Sequence, residues 1–438
     1  MHQRAEFLDP TLAYWRSNPS VPDAVRRLLT AERAFSAPAH LRAEPLSAWL
    51  RALLARYTSV TGELARDPRQ AAGGIQTRNP VLWPWCRFLI RAVTYRFGVV
   101  EAWSAEAEEL ADIKVALALF NVLLDDMADT AQDEAVLEVL LGIPANPGAM
   151  GSRMIALGRP ELAGYAELAM VTWQTCGKRL EALVGRSYQV HALMLERDYE
   201  RLFAAQRFSC ALNHRPREIL GLAPVALDAR YGASTVSAIL AHNANRAIFF
   251  DLDLMVLHAR APGVHAALVA SGGVERYTQL ALLFQDMHQL GNDVATGTRE
   301  LALDDLSNEI FTLTSELLDR DTEVPLPRPL ADLVGGKRPL SLVAAFEHRK
   351  RLKEVLRTTR PGSPAHEEAR RLHDGLGANV ELLTNHVGAV ARCFGRWLGC
   401  REAASDLLSR CAEDTERAEI LEANDLCLVY HLLYQGRI

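Results

Sequence analysis

Apolar positions along this chain recur every three to four residues, and strict alternation of apolar and polar residues is scarce. A 3.6-residue period puts such positions on one face of a helix, so the pattern predicts an almost entirely helical protein. Val-, Ile- and Thr-rich runs bounded by turn residues, the mark of strands, are nearly missing. No unit recurs at a fixed spacing, which disfavours a solenoid. Helices are predicted from Leu46 to Tyr57, from Ala105 to Thr130, over 160–185, 186–212 and 233–259, and from His265 to Gly297 with an interruption at Ser271-Gly272-Gly273. A further helix is expected from Leu301 to Leu318, and more across 340–438, broken at Arg360-Pro361-Gly362-Ser363-Pro364. Loops fall at Asp67-Pro68, Gly73-Gly74, 143–148 and Pro325-Leu326-Pro327-Arg328-Pro329. None of these breaks has the composition of a flexible linker. Residues 81–438 therefore read as one helical domain, with 1–80 as a helical leader packed on it.

The chain has 438 residues, 49% of them hydrophobic, enough to bury a large core. Its net charge of -6 offers no electrostatic footprint for nucleic acid. The basic run from His348 to Lys353 reads as a solvated helix face. Apolar runs are short and broken by charge, so no membrane span is expected. No continuous apolar stretch follows the first residues, which argues against a secretory signal. The seven cysteines are scattered without a Cys-x-x-Cys pair, so zinc and redox readings are weak. Reduced thiols in a cytoplasmic protein are the simplest account. His214, His242 and His288 show no metal spacing with carboxylates and read as core or surface residues.

Two acidic clusters change the picture. The first is Asp125-Asp126-Met127-Ala128-Asp129, at the end of a strongly apolar helix from Val115 to Leu124. Asp125 and Asp129 lie one turn apart on one face, about 6 Å along the axis; Asp126 points aside, placed to assist or to pair with a cation. Carboxylates beside a buried apolar helix are costly unless a cation compensates them. The second cluster runs from Asn292 to Glu300, with Asn292, Thr296 and Glu300 spaced by four. An amide, a hydroxyl and a carboxylate then share one stripe, a mixed oxygen set suited to a hard divalent ion. Gly291 and Gly297 leave room beside it. Alone, each cluster could equally be a polar helix surface; opposed across a cavity, they would cage cations and a diphosphate.

At these residues the chain resembles the class I terpene synthases. Residues 125–129 match that family's DDxxD motif, and 292–300 match its Asn-Asp-x-x-Ser/Thr-x-x-x-Glu motif at every defined position. Arg299 fits the basic residue before the final Glu, and Asp305-Leu306-Ser307-Asn308 fits a following Asp-x-x-Asn element. Arg246, 46 residues before Asn292, stands where the family carries a diphosphate-sensing arginine. The landmarks are sparse and span roughly residues 85–320. The chain departs from the family in lacking a C-terminal Arg-Tyr pair, for which Arg396-Trp397 or Tyr434 and Arg437 could stand in. The interval between Asp129 and Arg246 is long. The acidic residue expected three positions after the sensor is Phe249, with Asp251 two further on, and Leu124 replaces a phenylalanine before the first Asp.

The resemblance implies an all-α, class I isoprenoid synthase-like bundle around a central active-site cavity, and a bacterial, cytoplasmic, Mg2+-dependent cyclase. Three Mg2+ ions would be held by Asp125, Asp126 and Asp129 on one side and Asn292, Thr296 and Glu300 on the other. Arg246, Arg299 and Asn292 would bind diphosphate, with Arg246 and Asp125 central to ionisation. Aromatic faces can stabilise a cation without attacking it; Phe88, Trp103, Phe120, Phe249, Phe250 and Phe284, with Trp173 and Phe203, are the pocket set expected, although each could be ordinary core. The partner is a prenyl diphosphate, farnesyl or geranylgeranyl; a homodimer stays open. The rivals are a prenyltransferase, for which Asp304-Asp305 would begin a second acidic cluster, and a non-catalytic helical scaffold.

Overall fold

The computed structural model describes residues 11–30, 46–66, most of 75–100, 104–320, 341–410 and 414–435. Every element among them is helical, and none is a strand. The chain runs through α1 (11–17), α2 (Asp23–Thr30), α3 (Ala48–Leu64), α4 (Leu82–Ala92), α5 (Ala105–Asp125), α6 (Glu134–Leu141) and α7 (Met150–Ala156). It continues through α8 (Ala163–Val184), α9 (Ser187–His214), α10 (Pro216–Leu220), α11 (Pro224–Tyr231), α12 (Val236–Ala241), α13 (Leu252–Arg260) and α14 (Pro262–Ala270). Then follow α15 (Gly273–Leu303), α16 (Glu309–Arg320), α17 (Leu342–Thr358), α18 (Pro364–His386), α19 (Ala389–Leu408) and α20 (Asp414–Tyr430). Among the described residues no helix is long and apolar enough to cross a membrane.

Two large apolar cores organise these helices. One gathers α15, α16 and α19 with parts of α1, α2, α9 and α17; the other gathers α3, α5, α6 and α8. Helix α5 is the axis of the second. It is apolar nearly all round, as a helix must be when neighbours cover every face. Ser104 caps it by accepting the Ala107 N–H at 3.2 Å, and Glu106 and Glu108 complement the positive end of its dipole. Its two buried exceptions are paired. Arg87 from α4 donates to Asp112, and Lys114 donates to both oxygens of Asp253 on α13 at 2.8 Å, both side chains fully buried. Losing one partner of such a pair leaves a buried charge uncompensated, so the pairs pin α4 and α13 against α5.

The described parts of residues 1–80 contribute to both cores. Trp15 donates its indole N–H to the Leu432 carbonyl at 2.7 Å and meets Phe394 edge-on. Tyr57 of α3 packs edge-on against Trp83 of α4. Asp67-Pro68, Gly73-Gly74 and residues 325–329 lie outside the described residues.

Helix α15, with 31 residues, is the longest among the described elements, about 46 Å at 1.5 Å per residue. Two of its glycines answer to close approach. A Cβ at Gly291 would stand 3.2 Å from the His431 ring and 3.3 Å from Leu428, and one at Gly297 would stand 3.1 Å from Ile310. The continuous helix expected from Leu301 to Leu318 is interrupted instead. Asp304 takes a left-handed φ of 60° and ends α15. The cause is a tertiary contact: Arg349 donates to Asp304 Oδ1 at 2.6 Å and to the Leu301 carbonyl at 2.8 Å, while Lys353 donates to the Leu303 carbonyl. Residues 304–308 therefore form a loop, and α16 restarts with its Glu309 N–H donated to Asp293. This corrects the reading of the basic run as a solvated face. Arg349 is 2% exposed, and Lys350 donates to the Asn213 carbonyl and the Gln132 side chain.

Three short π turns, Asp126–Thr130, Ala247–Asp251 and His431–Gln435, and a 3-10 turn at Pro160–Leu162 join or extend these helices. Such i→i+5 turns cost regular hydrogen bonding and occur mostly where side chains must be re-aimed. Each of the three π turns supplies at least one residue to the cavity described next.

Candidate active site

A cavity of about 210 Å³ is walled by residues of both cores. Along α5 its lining runs Ala118, Val122, Asp125 and on to Asp129, apolar to acidic over about 16 Å. Asn292, Asp293 and Glu300 face it from α15, and Asp305, Ser307 and Asn308 from the loop that Arg349 shapes. Leu82, Trp83, Leu89 and Ile90 of α4, with Phe249, Met287, Trp397, Leu428 and Tyr430, supply an apolar wall.

The two remote acidic segments meet. The Ser307 hydroxyl lies 3.1 Å from Asp129 Oδ1 and 2.6 Å from Asp305 Oδ1. It carries one proton, so it can donate to only one of them at a time. Asn308 donates its amide to Glu300 and, at 2.8 Å, to the Asp293 carbonyl. The acids crowd one another at low solvent access. Burial, then the charge of Asp125, lifts the Asp129 carboxyl well above its usual range. Burial, then Glu300, does the same to Asp293 and raises Asp305 to about 6. A cluster of this kind either keeps protons or takes up cations. Its oxygens are spread round the cavity: among the described residues, no three carboxylates bring oxygens within 4.8 Å of one another. The donor set is oxygen-only and suits Mg2+, which commonly takes one or two carboxylates and completes its octahedron with phosphate oxygens and water.

Of the expected ligands, Asp125, Asp129, Asn292 and Glu300 line the cavity. Asp126 does not: it turns to the far side, where Arg78 donates to it at 2.8 Å and the Tyr165 hydroxyl lies 3.5 Å away. Thr296 is fully buried, off the lining, with its hydroxyl donated to the Asn292 carbonyl at 2.8 Å. Arg299 donates to Glu300 at 3.2 Å behind the lining. Arg246 also stands behind it, donating to Asp251 at 3.1 and 3.3 Å with Asp198 4.0 Å away. The π turn explains that partner, since an i→i+5 turn stacks residues five apart. Burial and then the Asp251 charge lift Asp198 to about 7. Arg396 is held by Glu309, whereas its neighbour Trp397 reaches the cavity. The Tyr434 side chain and Arg437 lie outside the described residues.

The aromatic set needs correction. Phe249 lines the cavity; Phe88, Phe120, Phe250 and Phe284 do not. Phe88 packs on Trp85, Phe120 on Trp173 and Tyr199, and Phe250 stacks on Tyr277, while Phe284 is fully buried in the first core. Phe249 and Phe250 diverge because packing takes Phe250 into the first core against Tyr277. Trp103 lies outside the described residues. The cavity's other aromatic faces, Trp83, Trp397 and Tyr430, carry no motif that marks them in sequence.

Three lining amides were also not singled out. Asn121 Oδ1, Gln206 Oε1 and Asn245 Nδ2 are buried without a hydrogen-bond partner. Buried polar atoms of this kind are costly and call for a polar guest. Asn121 and Asn245 precede Asp125 by one turn and Arg246 by one residue, so spacing from the motifs was the available signal. His288, Cys427 and His431 line the same cavity. The chain matches no family model, no curated protein and no solved structure.

Proposed function

We propose that this protein is a Mg2+-dependent class I terpene cyclase, acting on a prenyl diphosphate of the farnesyl or geranylgeranyl class. The observation that carries the reading is the Ser307 bridge between Asp129 and Asp305, beside a cavity lined by Asp125, Asn292 and Glu300 and walled elsewhere by apolar and aromatic side chains. Asp125, Asp129, Asn292 and Glu300 are the residues fitted to hold magnesium. When bound, the metal would concentrate positive charge on the diphosphate and so favour its departure. Asn245, with its unpartnered amide N–H, donates to a phosphate oxygen. Arg246 and Arg299 sit one layer back, and reach the diphosphate by exchanging Asp251 and Glu300 for it. Leu82, Ile90, Val122 and Met287 exclude water from the ionised chain. Phe249, Trp83, Trp397 and Tyr430 present π faces to it.

The prenyltransferase alternative needs a second acidic cluster at 304–305. Asp304 is committed to Arg349 and His373 and is absent from the cavity lining, which favours the cyclase. The test is incubation of the full chain with C10, C15, C20 and C25 diphosphates and Mg2+, followed by mass spectrometry. A cyclic hydrocarbon or alcohol with metal-dependent diphosphate release is expected. Turnover only with added isopentenyl diphosphate, or no diphosphate release from any substrate, would overturn the reading.

A further inference from the structure

The cavity wall one turn before Asn292 on α15 holds a second constellation, of different chemistry. His288 Nδ1 and His431 Nε2 are 3.3 Å apart, and the Cys427 sulfur is 3.5 Å from each. A tetrahedral ion with Zn–N of about 2.05 Å and Zn–S of about 2.3 Å would space its ligands about 3.3 Å (N to N) and about 3.5 Å (N to S). The three contacts thus form one face of that tetrahedron. Among the described residues this is the group of three metal-capable atoms lying within 4.8 Å of one another.

We propose that His288, Cys427 and His431 bind one divalent d-block cation of borderline softness, of which Zn2+ is the representative. One imidazole comes from α15 and two ligands from the end of α20, spaced i and i+4 across the start of a π turn. Helical i, i+4 spacing sets two ligands on one face, as in the paired histidines of helical zinc sites. The backbone makes room for them: Gly291 sits where any Cβ would press on the His431 ring at 3.2 Å. A glycine in a helix interior costs roughly 1 kcal/mol against alanine, so the close approach is maintained against local preference. The surroundings hold both rings in place, with Phe249 edge-on to His288 and Tyr430 against His431.

The site is chemically separate from the acidic cage. Nitrogen and sulfur ligands select a zinc-like ion, while carboxylate and amide oxygens select magnesium. All three residues line the cavity, and among the described residues no fourth Cys, His, Asp or Glu joins them. Three protein ligands plus an open position is the arrangement of catalytic rather than structural zinc. The fourth position falls to water or to a Lewis-basic group of the cavity's guest. Binding at this site does not depend on the proposed cyclase activity.

The experiment is metal analysis and Co2+ titration of the purified full chain, read by absorption. One equivalent of Zn2+ per chain is expected. Co2+ should give the visible bands of a tetrahedral site and a thiolate-to-metal charge-transfer band. Excess Mg2+ should leave both unchanged. Cys427→Ser should abolish the charge-transfer band, and His288→Ala should weaken Zn2+ binding more than about 100-fold. Gly291→Ala provides a variant with an intact ligand set and better helix propensity; it should weaken binding while retaining the helical circular dichroism of the parent. His258→Ala tests the other histidine group, where His191 and His258 lie 3.1 Å apart, and should bind as the parent does. Substoichiometric zinc with no charge-transfer band in the parent, a band that survives Cys427→Ser, or loss of binding in His258→Ala alone would each overturn the proposal. None of these readouts involves prenyl diphosphate turnover, so failure of the cyclase reading leaves them interpretable.

Discussion

Replacing Asp305 with asparagine should stabilise the protein in the absence of divalent cations, and only at neutral pH. Burial and the Glu300 charge raise the Asp305 carboxyl from 3.8 to about 6. Between those values the folded state holds more protons than the unfolded state, so stability falls as pH rises through the window. Two pKa units correspond to ~3 kcal/mol, a penalty complete above pH of about 6 and absent below about 4. Asparagine mimics the neutral acid and keeps an oxygen for Asn213 and Ser307, which donate to Oδ1 at 2.6–2.9 Å. Urea denaturation in EDTA should therefore show Asp305→Asn close to the parent near pH 4 and up to ~3 kcal/mol more stable above pH 7. Magnesium with diphosphate should close most of that gap, because a cation compensates the carboxylate cluster in the parent; a ligand at a hundred times its Kd adds about 2.7 kcal/mol. A stability difference that is the same at both pH values would refute the electrostatic account. So would a variant that gains as much from magnesium and diphosphate as the parent.

Asp125→Ala and Asn292→Ala should each abolish turnover while leaving the thermal midpoint near that of the parent; near-normal activity in both would reject them as ligands. Lys114→Met should cost about 3–5 kcal/mol at neutral pH, by leaving Asp253 buried and unpaired. Asp253 is raised to about 6 by burial even with Lys114 beside it and higher still without it, so that loss should shrink as pH falls toward 6 and Asp253 takes a proton in the variant. Adding Asp253→Leu should recover most of it, and a loss that persists in the double variant would show that the pair is not its source. Phe249→Leu should change the product ratio with little effect on stability, whereas Phe250→Leu should cost about 1–2 kcal/mol and leave products unchanged. Gas chromatography and denaturant titration distinguish the two, and the opposite assignment would mean that the pocket wall has been misplaced.

The helical character was legible because apolar periodicity is local and strong, as in α5, whose 115–124 run could only be buried. The side of α5 facing a cavity was legible for Asp125 and Asp129, since residues one turn apart share a face. Phe249 and Phe250 were both expected in the pocket from their nearness to Arg246, but packing turns Phe250 away to Tyr277. The π turns were not legible: shifting one hydrogen bond from i+4 to i+5 leaves the apolar pattern intact, yet it pairs Arg246 with Asp251 rather than with a residue at the family's spacing. Cys427 and His431 carried a visible i, i+4 spacing, but their partner His288 lies on another helix, and only packing brings it within 3.5 Å.

The loop at 304–308 shows most clearly where local reading stops. Leu301 to Leu318 has a helical period, and nothing nearby forbids a helix through it. The break is imposed by Arg349, 45 residues later, which takes the Asp304 carboxylate and the Leu301 carbonyl together. Without that break Ser307 would be carried two turns, about 10 Å, beyond Glu300 along α15; with it, the chain folds back and Ser307 reaches Asp129 at 3.1 Å. The catalytic reading of both acidic motifs thus depends on an arginine that belongs to neither. A sequence search for the motifs alone would pass over the one residue on which their meeting depends.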